Sequence, residues 1–291
     1  MRHPAFAVLV MALAGCGGGR PAAPQRTTPP PQPAQPTKDR PIVFRKTDQG
    51  VGLVFGGETG AIQKVLRPQR HSRFAISPSH TWAVSLTFHP QTEARVVTFY
   101  DRSGDVTANV LLPAMPDEAR KRFFHDLRVV VSDEPLAAVE LDHQPYVDVV
   151  LAPDKYPPRC VEWFLVDPAG KVQAMPVAKD ERVQPLLPAG AGLALLRIRP
   201  VGPKVTAKDW TLERYVRNDP EAGKDAPAFK RLWTRTGKAH GVYPARAKYD
   251  VSLSVNHLSP QAVRYQYLHF KADGTLERQS LQPTTSSRPT K

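Results

Sequence analysis

Between about residues 42 and 281 the chain alternates short apolar runs with turn-forming residues. Val, Ile, Thr, Phe and Tyr gather in stretches of five to eight, broken by Pro, Gly, Asp and Ser. The clearest runs are 82–88 (WAVSLTF), 95–100 (RVVTFY), 127–131 (LRVVV), 137–141 (AAVEL), 146–151 (YVDVVL), 193–198 (LALLRI) and 263–270 (VRYQYLHF). Each predicts a β-strand. Helical signals are few: 116–127 (PDEARKRFFHDL) opens on Pro-Asp-Glu and predicts a short helix, and 220–233 predicts a turn or two more.

One pattern recurs. An aromatic-rich strand meets Asp or another polar residue, then Gly, and leaves as a second strand. It reads Phe99-Tyr100-Asp101-Arg102-Ser103-Gly104-Asp105-Val106, then Phe164-Leu165-Val166-Asp167-Pro168-Ala169-Gly170-Lys171-Val172, then His269-Phe270-Lys271-Ala272-Asp273-Gly274-Thr275-Leu276. Looser copies surround Gly60 (55–62) and Gly237 (232–238). Gly accepts positive φ without steric cost and Asp bonds the backbone just ahead, so each copy predicts a hairpin.

These hairpins resemble the outer hairpin of β-propeller blades, in which a strand ending in Asp-x-x-Gly leads into the next strand. Residues 74–85 (FAISPSHTWAVS) resemble the inner half of such a blade, with Ser79-His80 where Asp-Gly is common after Ser77-Pro78. Residues 74–112 then make one four-stranded blade, and the body has room for about five. The resemblance implies an all-β, propeller-like array of antiparallel hairpins, whose first hairpin (51–66) completes the last blade (249–281) and closes the ring. The Gly-to-Gly spacings of 44, 66, 67 and 37 are less even than the ~40–45 of a regular propeller. A β-sandwich or two small antiparallel β domains are the alternatives.

Composition changes the picture at the ends. Of 31 Pro, eight fall in residues 17–41, where Gln, Thr, Ala and Gly fill the gaps without apolar periodicity. Such a segment favours extended polyproline conformations, and at ~3.1 Å per residue it reaches on the order of 70 Å. Residues 282–291 form a polar tail. Ahead of the tether, residues 5–14 (AFAVLVMALA) form a ten-residue apolar run behind Arg2. That suits the centre of a secretory signal and falls short of the ~20 residues of a membrane-spanning helix.

The run ends in Leu13-Ala14-Gly15-Cys16. This resembles the lipobox of bacterial lipoproteins, in which the Cys sulfur receives a diacylglyceryl group, the signal is cut before that Cys and the new amine is acylated. The resemblance implies a signal peptide at 1–15, a lipidated (palmitate-bearing) Cys16 heading a tether at 16–41, a β-rich body at 42–281 and a tail at 282–291. Two or more acyl chains bind a membrane stably. Gly17, where many Gram-negative retention signals carry Asp, points to the outer membrane, facing the periplasm.

The net charge of +13 loses weight once it is divided. Arg2 leaves with the signal, residues 17–41 carry +3, and Arg278, Arg288 and Lys291 carry another +3, leaving about +6 for the rest. Nucleic acid is a poor partner for an exported, anchored chain. An envelope protein, a wall polymer or lipopolysaccharide suits a basic linker better.

Catalytic signatures are few. The sequence holds no Gly-x-Ser-x-Gly elbow, His-Glu-x-x-His, Cys-x-x-Cys, phosphate loop or calcium loop. His71, His80 and His89 recur every nine residues, a spacing that fits neither a helix face nor a strand face, so no metal and no cofactor is expected. Cys160, the thiol left once Cys16 is lipidated, precedes an apolar strand and reads as a packed residue. The four Trp (Trp82, Trp163, Trp210, Trp233) read as core. The sequence therefore points to an anchored envelope lipoprotein with a non-enzymatic binding or scaffold domain. The alternatives are a periplasmic hydrolase or lyase, built from residues such as His71, His89, His125, Asp126, Asp142, His143 and His257, and a glycan or small-molecule sensor using exposed Trp and Tyr.

Overall fold

Each apolar run pairs with its neighbours in the chain, so local hairpins account for the architecture. The computed structural model describes residue 37 and residues 41–56, 61–69, 71–117, 122–145, 160–178, 181–186, 192–200, 208–218, 227–245, 251–259 and 262–283. All fall within one compact unit, Pro33–Lys291. The strand expected at 146–151, the signal and lipobox residues Leu13, Ala14, Gly15 and Cys16, and nearly all of the tether lie outside the described residues.

Five antiparallel sheets follow one another. The first holds β1 (Ile42–Thr47), β2 (Gly50–Gly56) and β3 (Ile62–Leu66). The second holds β4 (Ser72–Ile76), β5 (Ala83–His89), β6 (Ala94–Tyr100) and β7 (Val106–Leu111). The third holds β8 (Arg122–Val131), β9 (Ala137–Pro145), β10 (Cys160–Val166) and β11 (Val172–Met175). The fourth holds β12 (Arg182–Leu186), β13 (Leu193–Pro200), β14 (Lys208–Arg217) and β15 (Phe229–Ala239). The fifth holds β16 (Gly241–Pro244), β17 (Val251–Ser259), β18 (Ala262–Phe270) and β19 (Leu276–Pro283). Within every sheet each strand pairs with the next in sequence. The body is therefore all-β and propeller-like, and the blade expected at 74–112 is the second sheet.

Side chains alternate across a strand, and that alternation builds the core between sheets. In the third sheet Val129, Val131, Val139, Leu141 and Phe164 face the second sheet, where Val84, Leu86, Val97 and Phe99 meet them. Their neighbours Leu136, Ala138, Trp163 and Leu165 turn the other way, onto Leu193, Leu195 and Tyr215 of the fourth sheet. Both faces being covered, these strands read as continuous apolar runs. Trp210 and Trp233 belong to the core between the fourth and fifth sheets, and Ile42, Leu53 and Phe55 join Ala83 between the first and second. Five sheets stacked in series replace the sandwich and two-domain alternatives. Trp163, Trp210 and Trp233 are core residues as expected, while Trp82 is half-buried.

The three Asp-and-Gly hairpins are turns as read. Gly104, Gly170 and Gly274 have φ of 85°, 83° and 80°, and their N–H groups donate to Asp101 O, Asp167 O and Lys271 O. Asp101 Oδ1 accepts from the N–H groups of Ser103 and Asp105, each at 2.9 Å, and Asp167 Oδ1 from that of Lys171 at 2.9 Å. In the inner turn of the second sheet His80 takes the left-handed conformation that glycine usually fills, at φ 60°. Its Nδ1 lies 2.6 Å from Ile42 O, tying the turn to the first sheet.

Four expectations are corrected. The helix expected at 116–127 is replaced from Arg122 onward by β8, because the stretch pairs along β9 and Leu127 joins the core against the second sheet. The helical turn at 220–233 gives way to β15 from Phe229, with residues 219–226 outside the described set. The Gly237 copy is no hairpin. Gly237 sits inside β15 opposite Trp210, where a Cβ would come within 2.5 Å of the indole, so glycine serves close packing rather than a turn. The first hairpin does not complete the last blade, since β1, β2 and β3 form a sheet of their own and β16 to β19 already number four.

Candidate functional site

Three places hold polar chemistry. The first lies between the second and third sheets. Arg95, 1% exposed, reaches from β6 to Glu162 on β10, with Nη1 to Oε2 at 2.5 Å. Its Nη2 donates to Pro113 O, and its guanidinium lies 5.7 Å from the Phe164 ring centroid. His143 on β9 is also buried and places Nε2 2.9 Å from the same Glu162 oxygen. Cys160 is the cross-strand partner of His143 and packs, partly buried, against the core between these sheets. A carboxylate gripped by a guanidinium and an imidazole is an inter-sheet staple. A thiol beside that imidazole is the start of a nucleophile and base pair.

The second place is a polar chain in the fourth sheet. Arg197 forks onto Glu181, with both nitrogen-to-oxygen distances 2.8 Å, and Glu213 accepts from Arg231 Nη1 at 2.8 Å and from the Tyr215 hydroxyl at 3.1 Å. Burial pushes the Glu181 carboxyl up, but the hydrogen bonds and charge of Arg197 outweigh it and hold the pKa below the usual value. Burial, reinforced by the Glu213 charge, pushes Tyr215 up to about 12. These charges satisfy one another within the described structure.

The third place is a cleft of about 440 Å³ lined by β1, the β1–β2 turn, the β3–β4 link and β4. Elsewhere on the first sheet Ile42, Leu53 and Phe55 pack on the second sheet. Further along β1 and β2, Phe44 (43% exposed) and Val51 (56% exposed) find no such cover and line the cleft, facing His71, Arg73 and Phe74. His71 itself is held at φ 64°, its carbonyl accepting from Phe88 N–H at 3.0 Å.

The residues named for catalysis do not converge. His71 opens β4, His89 ends β5 and His257 lies on β17. Asp126 is engaged by Arg73 at 3.2 Å and Arg128 at 3.4 Å. Asp142 precedes His143 on the strand and so turns to the opposite face. The side chain of His125 lies outside the described residues. Among the described residues no three His, Cys, Asp or Glu gather closely enough to hold a metal ion. Sequence reading missed Arg95, Glu162 and the β1 cleft. A lone Arg within RVVTFY and a Glu within CVEWFLV were the available signals, because a charge at an inward position of an apolar strand requires a partner. For the sensor alternative, the fifth sheet offers Tyr243, 54% exposed, with Tyr267 sharing its face through Ser254.

No family model and no curated protein matches this chain. Solved structures share its outline. An acylaminoacyl peptidase of Pyrococcus horikoshii superposes with a TM-score of 0.42 at 11% identity, covering 81% of this chain and 36% of the peptidase. The chain thus spans about a third of that protein. The β-propeller domain of the Trilobed protease from Pyrococcus furiosus, described as having an open velcro topology, gives 0.32 at 8% identity, covering 86% and 82% of the two chains. A functionally unknown protein from Desulfotomaculum acetoxidans gives 0.29 at 12% identity, covering 84% and 83%.

Proposed function

We propose that this is a lipid-anchored protein of the bacterial envelope. Its β body serves as a binding or scaffold module held off the outer membrane, on the periplasmic side, by a Pro-rich tether. The observation that carries the reading is Leu13-Ala14-Gly15-Cys16 at the end of a ten-residue apolar run, followed by the tether. The array of sheets supplies a rigid scaffold, and its polar clusters are mostly closed on themselves. In a bacterial host the wild-type protein is expected to incorporate labelled palmitate and sediment with outer membranes, and Cys16→Ala to do neither. Wild-type protein that takes up no label and stays in the soluble fraction would refute the anchoring.

One observation favours a second reading, a periplasmic hydrolase: Cys160 stands across from His143, whose ring is oriented by Glu162. In this reading the thiol is the nucleophile and the imidazole takes its proton. Iodoacetamide is then expected to alkylate Cys160 faster at neutral pH than it alkylates the same residue in His143→Gln. Equal rates in the two proteins would remove the reading.

A further inference from the structure

Among the described residues four of the five sheets have four strands and the first has three. Its register shows which strand is lacking. The β2–β3 ladder shifts register at Phe55/Gly56, as the ladder between the last two strands of the second sheet does at Phe99/Tyr100 and that of the fifth at His269/Phe270. By this feature, which the third sheet carries in its first ladder at Phe124/Asp126 instead, β2 and β3 match the third and fourth strands of the second and fifth sheets, and β1 a second. Among the described residues the position beside β1, that of a first strand, is open.

The backbone of β1 is set to receive it. Pro41 O accepts from Gly56 N–H at 2.7 Å, which fixes the alternation of the ladder. Val43, Arg45 and Thr47 bond to β2, while the N–H and C=O groups of Ile42, Phe44 and Lys46 point to the open edge. Ile42 O is taken by His80. Among the described residues no hydrogen bond reaches the main chain of Phe44 or Lys46. The same stretch borders the 440 Å³ cleft, with Phe44 lining it.

We propose that this edge is a docking site for an extended acidic peptide of a partner protein, which adds antiparallel to β1 and completes the first sheet. Strand addition draws affinity from main-chain hydrogen bonds and specificity from alternate side chains. Here Phe44 and the cleft receive an apolar residue, and Lys46 receives a carboxylate. Arg67 is already paired with Asp48 at 3.4 Å and Arg73 with Asp126, whereas Arg45 and Lys46 have no carboxylate within reach among the described residues. A second copy of this edge would set Lys46 and Arg45 against like charges, which opposes strand-to-strand dimers. The tether is poorly suited because Pro29, Pro30, Pro31, Pro33 and Pro36 have no N–H to donate. The inference rests on reading the body as a binding module and is independent of the lipid anchor.

The test uses the full-length lipidated protein in detergent and a fluorescein-labelled (Val-Thr-Glu-Thr)₂ peptide, which sets Val and Glu two residues apart on one face, followed by anisotropy. Saturable binding is expected at up to about 1 mM peptide, weakened about tenfold or more by Phe44→Pro and by Lys46→Glu. Phe44→Pro removes an edge N–H together with the ring that lines the cleft, and leaves the β1–β2 ladder in place. A peptide N-methylated at its Val residues should lose binding to the unaltered protein, so the result does not depend on the variants folding. No saturable binding, equal binding of (Val-Thr-Lys-Thr)₂, or full binding of the methylated peptide would overturn the proposal. So would sedimentation showing a dimer that Phe44→Pro dissolves, which would assign the edge to a second copy. Membrane fractionation of Phe44→Pro should match the wild type, so a failed anchor and a failed docking site are told apart.

Discussion

The first and third sheets are made of the same kind of apolar strand and end in opposite circumstances. The third sheet has four strands, is covered on both faces, and is tied to the second through Arg95 and Glu162. The first has three strands, packs on the second through Ile42, Leu53 and Phe55, and leaves Phe44 and Val51 in an open cleft. Among the described residues of the third sheet, the central strands β9 and β10 are bonded on both sides and packed on both faces, so substitutions there act on stability. At the first sheet an edge and a cleft remain, and substitutions there act on what the protein can bind.

Proline draws the contrast most sharply. Leu165→Pro, in a central strand bonded on both sides, should cost at least ~3 kcal/mol and leave little folded protein. Phe44→Pro should change the urea midpoint only slightly. Comparable losses from the two would mean that β1 is not an open edge. Charge comes next. Arg95→Met leaves the partly buried Glu162 with His143 alone and should cost about 3 kcal/mol, while Arg67→Met, which breaks the exposed pair with Asp48, should cost under ~1 kcal/mol. The double variant Arg95→Met, Glu162→Leu should recover much of the first loss. If it is no better than the single variant, the packing of Arg95 on Phe164 matters more than its charge.

The hairpin turns give a finer comparison. Gly104 lies against the first sheet, where a Cβ would approach the Phe55 ring to 2.8 Å, and Lys64 Nζ donates to its carbonyl at 2.5 Å. Gly170, in the third sheet, has the same positive φ and nothing within 4 Å of that position. Thermal melts should show Gly170→Ala losing about 1–2 kcal/mol from backbone strain alone, and Gly104→Ala losing more. Equal losses would deny the turn a part in holding the first sheet. The smallest effect concerns Tyr215, in the core between the third and fourth sheets. Its folded pKa, raised to about 12 from an ordinary 10, means the folded state keeps a proton the unfolded state gives up. Stability should therefore be full below pH 10, fall between about pH 10 and 12, and level off above. In Tyr215→Phe that segment of the pH dependence should flatten. An unchanged profile would place the alkaline loss on other groups.

Much of the strand order was legible because hairpins are local. RVVTFY, LALLRI and VRYQYLHF became β6, β13 and β18 with small changes at their ends, and the three Asp-and-Gly turns held their geometry. Residues 122–127 misled because RFFHDL, with its strand-forming aromatics, follows the helical start signal Pro-Asp-Glu at 116–118, and only the partner β9 decides between them. Gly237 misled because a glycine that makes room for an indole looks, in sequence, like a glycine that makes a turn. The staple was illegible for a related reason. Arg95, His143 and Glu162 lie up to 67 residues apart, and nothing local announces that they meet.

The sequence by itself determined the local pairings and their turns, and it carries the Leu13-Ala14-Gly15-Cys16 motif and Pro-rich segment on which the proposed anchor rests. These depend on residue type and short spacing: alternation, turn chemistry and a four-residue motif. Tertiary structure decided which charges share a carboxylate, that the first hairpin keeps a sheet of its own, and where a strand edge and a cleft stay open. Those outcomes follow from the distances between faces of separate sheets, and packing sets such distances among residues far apart in the chain.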